Sequence, residues 1–559
     1  MNATQLLAHF DRLAEAPDAV PRLRDLVLNL AVRGKLLETV DEFEPVSPAY
    51  FSESSSDEFP QNWRVLSFGQ HFDIQGGTQP PKSSFISEPR EGYVRLFQIR
   101  DLGERPVPTY ISVAGNIRYC KAGEILVGRY GASVGKVFWA QDGAYNVAMA
   151  KVIYPETVYA SRFVFLLLKS SFFQRRLTEV SRSAQAGFNK GDLAEIAFPL
   201  PPLPEQHRIV AKVDELMALC DQLEAAQQER ERRRDRLTAA SLQRLNQPAA
   251  DTTPEAHREH ARFHLHHLPR HTTRPEHIKA MRQTILNFAV HGWLVPQMQS
   301  EGSAASRLQE ALASRLSSWE TEIVTKAKAT GKALAKDWQK KYLKPIHEIG
   351  LFELPPEWVW ASTLEICVCV ENGNTPSPHV MTDGGGEIPF LKVYNLTKTG
   401  ELDFTIKPTF ITRQVHEQKL QRSRILPGDV LINIVGPPLG KVSLVTDQYP
   451  EWNTNQAVVL FRPSDVLLPK YLMFCLLSDA VLTWITRLAQ ATVGQSNISV
   501  SKSRALPIPM PPLSEQHRIV AKVDELMALC DQLEAQLTTT QTDSRRLLEA
   551  VLEAALVPA

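Results

Sequence analysis

The chain has 559 residues, and its 62 Lys plus Arg balance 62 Asp plus Glu. A formal charge of zero excludes a polybasic, histone-like nucleic-acid binder, although recognition depends on where charge sits and not on its sum. Hydrophobic content of 43% with 22% charged residues belongs to a folded chain, and at about 150 residues per domain the length suggests roughly three or four units.

The first 55 residues read as a helical region that contains LNLAVRGKL (28–36). They show no basic start followed by an apolar stretch, so no signal peptide is expected. Residues 56–200 carry the strand-like strings YVRLFQI (93–99), EILVGRY (124–130) and AMAKVIY (148–154), punctuated by Gly, Pro and Asn. A helical stretch near 160–180 completes one α+β domain. PPL then opens a long helix over 201–247: proline is tolerated in the first turn, and Glu205 suits the positive end of the dipole. Residues 248–275, rich in Pro, Thr and His, read as a solvated linker. Their histidine spacing is irregular and no cysteine joins them, so no metal site is expected.

Residues 276–347 read as a second helical region with LNFAVHGWL (286–294). Leu308, Leu312, Leu316, Trp319 and Ile323 mark an extra amphipathic helix in an insertion over 300–347. A second α+β domain over 348–510 carries IPFLKVY (388–394), DVLINIV (429–435) and AVVLFR (457–462). A second long helix fills 511–559. No apolar run approaches the roughly 20 residues of a membrane span; FVFLLL at 163–168 has six.

The chain is a tandem duplication. EQHRIVAKVDELMALCDQLEA occurs at 205–225 and again at 515–535, identical at all 21 positions. LNLAVRGKL and LNFAVHGWL agree at six of nine, and AGEILVGRYGASVGKV (122–137) parallels PGDVLINIVGPPLGKV (427–442). Trp63 and Trp358 each follow a Pro-led entry, FPQNW and LPPEW. Ile209, Val213, Leu216, Cys220 and Leu223 recur every three or four residues, as do Ile519, Val523, Leu526, Cys530 and Leu533. That stripe is a coiled-coil-like seam. An antiparallel pairing of the two long helices would place one packing constraint on both copies; alternatively each helix caps its own half. Cys220 and Cys530 are then small core residues.

Enzymatic machinery is not visible. GASVGK (131–136) and GPPLGK (436–441) have three residues before Gly-Lys and then Val, where a phosphate loop needs four and then Ser or Thr. They read as strand–turn–strand features. The six cysteines form no CxxC pair, so neither a zinc ribbon nor a redox pair is expected, and the chain reads as cytoplasmic. The arginines at 230, 232, 233, 234 and 236 read as a solvated helix face.

The order PPLxEQHRIVAKVDELM, twice, each copy after a variable domain, resembles the specificity (S) subunit of type I restriction–modification enzymes. The LNLAVRGKL-type strings, the GxxxGKV turns and SNIS (496–499) fit the same family; GFNKG (187–191) departs from it where the second half has QSNIS. The resemblance implies two α+β target-recognition domains separated by a pair of long antiparallel coiled-coil helices. Each domain would read one half of a split double-stranded DNA site. The helices would space the halves and dock two methyltransferase (M) subunits that carry S-adenosylmethionine. Restriction (R) subunits, with ATP and Mg, would join this core. The chain itself would hold no cofactor or metal and catalyse nothing. Base edges need Arg or Lys for guanine and Asn or Gln for adenine. Candidate DNA contacts are Lys82, Gln98, Arg100, Arg129, Tyr130, Lys136, Asn189 and Lys190 in the first half. In the second they are Lys392, Asn395, Asn433, Lys441, Gln495, Ser496 and Asn497.

Overall fold

A computed structural model describes residues 16, 18–38, 59–102, 106–183, 187–247, 252–267, 272–331, 333–338, 350–436, 438–490 and 497–556. The chain divides into two compact units, residues 1–231 with 539–559, and residues 232–538.

The first unit starts with helix α1 (Ala19–Val32) and ends, before the boundary, in α4 (Leu203–Asn246). Between them lie three small sheets. Strands β1 (Arg64–Ser67) and β10 (Ala197–Leu200) pair antiparallel, tying the entry of the variable domain to its exit. β2 (Asp73–Gly76), β9 (Met149–Ile153), β6 (Ile125–Gly128) and β7 (Val137–Trp139) form an antiparallel sheet in that order. β4 (Tyr110–Ser112), β3 (Tyr93–Phe97), β8 (Gly143–Tyr145) and β5 (Tyr119–Cys120) form the third, with β3 and β8 parallel. Helices α2 (Ser161–Lys169) and α3 (Ser171–Ser183) pack on the core.

The second unit repeats the plan. It contains α5 (Pro254–His266), α6 (Pro275–His291) and α7 (Ala304–Thr330), which is the extra helix of the insertion. β11 (Val359–Ser362) pairs with β20 (Pro507–Met510). β12 (Cys367–Asn372), β19 (Val458–Pro463), β16 (Val430–Asn433) and β17 (Val442–Leu444) form the counterpart of the β2–β9–β6–β7 sheet. β13 (Met381–Asp383), β15 (Thr409–Ile411), β14 (Ile388–Leu391) and β18 (Asn453–Thr454) form the other, with β14 and β18 parallel. Helices α8 (Pro469–Leu477) and α9 (Asp479–Gln490) precede the second long helix, α10 (Leu513–Leu556).

The repeated strings are one anchor in each unit. Trp63 Nε1 donates to Glu205 Oε1 at 3.0 Å, and Trp358 Nε1 donates to Glu515 Oε2 at 3.1 Å. The next residue staples the domain exit: Gln206 donates to the carbonyls of Val158 and Pro201, and Gln516 to those of Val466 and Pro511. Gly34 and Gly292, both at φ 72°, end α1 and α6 under the same tryptophans. A Cβ there would stand 2.4 Å from Pro60 and 2.6 Å from Pro355, so only glycine fits.

Each long helix has 44 residues, about 66 Å at 1.5 Å per residue. The first unit takes the start of α4 and the end of α10, and the second takes the end of α4 and the start of α10. The short helices join both. In the first unit Arg24 pairs with Asp221 (2.6 Å) and Glu224 (2.8 Å) of α4, while Arg22 pairs with Glu549 of α10 (2.9 Å). In the second, Arg282 pairs with Asp531 (2.6 Å) and Glu534 (3.1 Å) of α10, and Asn246 of α4 donates to Thr284.

The expected seam needs correction. Ile209 and Val213 are buried in the core of the first unit with Trp63, Phe163 and Phe198. Ile519, Val523, Leu526, Cys530 and Leu533 lie in that of the second with Trp358 and Ile508; Leu242 and Leu245 of α4 join them there. Cys220 is buried, and Leu216 and Leu223 are half-buried. The stripe is therefore first a docking face for its own half, because the helix leaves the PPL turn directly over that core. Burying each such side chain contributes about 1.5–3 kcal/mol, against about 0–1 kcal/mol for an exposed ion pair like Arg24–Asp221. The apolar face, not the ion pairs, fixes the helix. The linker expectation also changes. Residues 254–266 form α5, with His257 and Ala261 buried.

Candidate nucleic-acid interface

One edge of the first variable domain collects loops from every part of its sequence. The antiparallel register sets Gly76 against Ala150, Gly128 against Met149 and Val127 against Val137, so the end of β2, the start of β9, the end of β6 and the start of β7 share that edge. β3 ends there too, since Phe97 pairs with Tyr145 and accepts from Asn146 N. Loops 77–81, 98–101, 129–136 and 146–148 thus converge. Tyr130 bridges to Gly187, adding the segment before the PPL exit.

The second domain builds the same edge. Asn372 pairs with Val459, Asn433 with Val458, and Leu391 with Thr454, and Val435 bridges to Asn497. Three frame details coincide. Gly77 and Gly373 press on carbonyls of the loop preceding β9 or β19, where a Cβ would stand 2.3 Å from Asn146 O or from Asn455 O. Asn146 Oδ1 accepts from Ala148 N (2.8 Å), as Asn455 Oδ1 does from Ala457 N (3.1 Å). After β3 and β14, Gln98 N donates to Asp101 Oδ2 and Lys392 N to Asn395 Oδ1, both at 2.9 Å. Satisfying these turn amides within the loop leaves its outer side chains free to vary.

The sequence-predicted residues divide on this frame. Lys82 and Lys136 are exposed, and Lys82 opens a single turn after loop 77–81. Arg100 is exposed and, like Gln98, donates to Thr109 Oγ1 (3.4 and 3.2 Å). Arg129 donates from Nε to Phe188 O at 2.9 Å and lies over the Tyr130 ring at 5.1 Å. Lys392 lies 5.9 Å from the Tyr394 ring. Lys441 Nζ donates to Val393 O at 3.3 Å, joining the GxxxGK turn to the β14 loop.

Two expectations are corrected, Asn395 and Asn433, while Asn189 and Lys190 stay exposed and also make contacts inside the fold. Asn395 is buried and donates to Asp403 O and Ile406 O. Asn433 is buried and donates to Pro438 O while accepting from Lys441 N. Asn189 caps a short turn by accepting from Gly191 N at 2.7 Å. An amide that could read adenine also satisfies two backbone groups in a tight turn, and here it does the latter. Lys190 points back to Asp73 (2.9 Å) at the far end of β2, which holds that carboxyl below its usual range. Asn497 is half-buried beside Val435, and Gln495 and Ser496 lie outside the described residues.

Sequence reasoning missed Arg118. Its backbone N–H donates to Thr78 Oγ1 at 2.7 Å and its carbonyl accepts from Tyr145 N, which pins an exposed guanidinium to the edge. The shared Asn-x-Ala strings at 146–148 and 455–457 would have revealed this loop as a repeat. Among the described residues no group of three His, Cys, Asp or Glu side chains is arranged to hold a metal ion, and no helix is long and apolar enough to cross a membrane.

Comparison with known proteins places the chain in a family. The family model for the type I restriction modification DNA specificity domain matches twice, at residues 60–231 and 355–540. The chain is 23% identical to the type I restriction enzyme EcoEI specificity subunit of Escherichia coli, over 96% of this chain and 94% of that one. It is 24% identical to the EcoAI specificity subunit of the same organism, with the same coverage. A solved chain from work on complex assembly and conformational transition of the type I R-M system covers 89% of this chain and 98% of its own, at 19% identity and a TM-score of 0.48. The HsdS subunit from Thermoanaerobacter tengcongensis gives 19% identity, covering 89% of this chain and 97% of its own, and 0.44. With two specificity domains on duplicate frames, each followed by the same long helix, the chain belongs to the family of type I restriction–modification specificity subunits.

Proposed function

We propose that each variable domain reads one half of a split DNA sequence through its loop edge, and that the helical part docks the subunits that act on the DNA. One observation carries this: the two edges share their backbone frame but not their outward side chains. Gly77 and Gly373, Asn146 and Asn455, and the turn caps after β3 and β14 correspond. At the same edge Arg129 and Tyr130 stand against Ile434 and Val435, and Gln98 against Lys392. A constant scaffold with unlike surfaces suits two readers of different half-sites. The chain supplies specificity and holds no cofactor. Two M subunits would bring S-adenosylmethionine and methylate adenine, and R subunits would bring ATP and Mg, in the cytoplasm.

The docking reading has its own support. His207, Ala211, Glu215, Ala218 and Gln222 are exposed on α4, and their counterparts His517, Ala521, Glu525, Ala528 and Gln532 are exposed on α10. Spacings of four, four, three and four place each set on one helix face. Burial in the chain's own core does not constrain these positions, yet both copies are identical. One kind of partner bound twice accounts for that.

The test is methylome sequencing of a methylation-free host that expresses this chain with its M subunit. A split motif with a fixed gap is expected. Exchanging residues 56–200 for those of another specificity subunit should change one half of the motif and leave the other. Absence of a split motif, with both proteins folded and associated, would overturn the proposal.

A further inference from the structure

We propose that Arg129 selects a guanine in the half-site of the first domain; the inference rests on reading the loop edge as the DNA-facing surface. Guanine presents two acceptors in the major groove, O6 and N7, and a guanidinium answers them with two parallel N–H groups held in one plane. Arg129 has its plane set from three sides. Nε donates to Phe188 O at 2.9 Å. The guanidinium lies over the Tyr130 ring, 5.1 Å from its centre. Nη1 sits where Gly76 leaves room, since a Cβ there would stand 2.9 Å from it. Tyr130 is itself held, because a Cβ on Gly187 would come within 2.5 Å of its ring.

The Nε–H is therefore used inside the protein, and the Nη1 and Nη2 end takes no partner among the described residues. Those two groups are a matched pair of donors at the edge. Because the side chain is ordered before DNA arrives, little conformational freedom remains to be lost on binding. Lys82 and Lys136 are exposed point charges on flexible stems, which suit phosphates. The second domain places buried Ile434 at the position of Arg129, so this guanine belongs to one half only.

Methylome sequencing with the M subunit separates the outcomes. The wild-type chain should give a split motif with a guanine in the half that exchange of 56–200 alters. Arg129→Ala and Arg129→Lys should relax that one position, by roughly ten- to hundredfold in preference, and leave the other half unchanged. Gly76→Ala, which displaces the guanidinium but keeps the residue, should relax the same position. Co-purification with the M subunit reports folding, and Arg129→Lys carries the test if Arg129→Ala does not assemble. An unchanged motif in Arg129→Lys and Gly76→Ala overturns the assignment. So does relaxation at a base other than guanine, or a uniform loss of methylation with the motif intact, which marks a phosphate contact. A wild-type chain without a split motif overturns the reading of the edge as well.

Discussion

Glu515 shows how one residue of the repeated string holds a half together. Its carboxylate accepts from Trp358 Nε1 at 3.1 Å and from Gln297 Nε2 at 2.8 Å, and burial pushes its pKa from 4.5 to about 6. The folded chain then holds this proton more tightly than the unfolded one. The stability that this group contributes is complete below pH 4.5 and is lost as pH rises through about 6. Glu515→Gln keeps an acceptor for Trp358 and cannot ionise. Its melting temperature should therefore lose that decline, relative to wild type, between pH 4.5 and 6. Parallel wild-type and variant curves would show that the site is not strained by charge. The role of this glutamate was only partly legible. Its identity in two copies marked it as important, and the Pro-led tryptophans stood out, but their union needs contacts across more than 140 positions. Asn395 and Asn433 misled for the opposite reason: their amides could serve a base or a turn, and composition does not separate the two.

At the scale of elements, periodicity located the strands and long helices well, because alternation and three-to-four spacing report burial directly. It failed at 248–275, where histidine was counted as polar. In α5, His257 rests on the rings of Trp293 (4.5 Å) and Phe288 (5.4 Å), and its Nε2 finds no partner among the described residues. His291 stacks between Trp293 (4.4 Å) and Phe352 (3.8 Å). Both imidazoles act as aromatic core, and burial lowers the pKa of each from 6.5. The packed state disfavours protonation, so the stability it adds is complete above pH 6.5 and is lost as pH falls through the lowered values. Hydrogen exchange over 254–266 should accelerate on acidification beyond the intrinsic pH trend, and His257→Phe should blunt the change. Equal protection of α5 at pH 7.5 and pH 5 would contradict this account.

For the whole molecule, duplication explains the fold, and identity beyond the fold's needs points outward. The core requires Ile209, Val213, Glu205 and Gln206, and their counterparts, to be what they are. It requires nothing of Ala211, Glu215 or Ala218, which face solvent. Small residues at Ala211 and Ala218 allow another helix to approach closely, within the 8–10 Å typical of packed axes. An arginine at Ala218 or at its counterpart Ala528 would hold such a partner off while remaining solvated, so the chain's own stability should change by under about 1 kcal/mol. With two M subunits docked as proposed, Ala218→Arg alone and Ala528→Arg alone should each lower the number bound from two to one, measured by native mass spectrometry, and the double variant should bind none. Single variants that still bind two subunits would mean that the repeated face reflects the duplication itself and that docking uses another surface. The expected stepwise loss would tie each copy of the repeat to one partner, and would leave the loop edges as the part of the chain free to diverge.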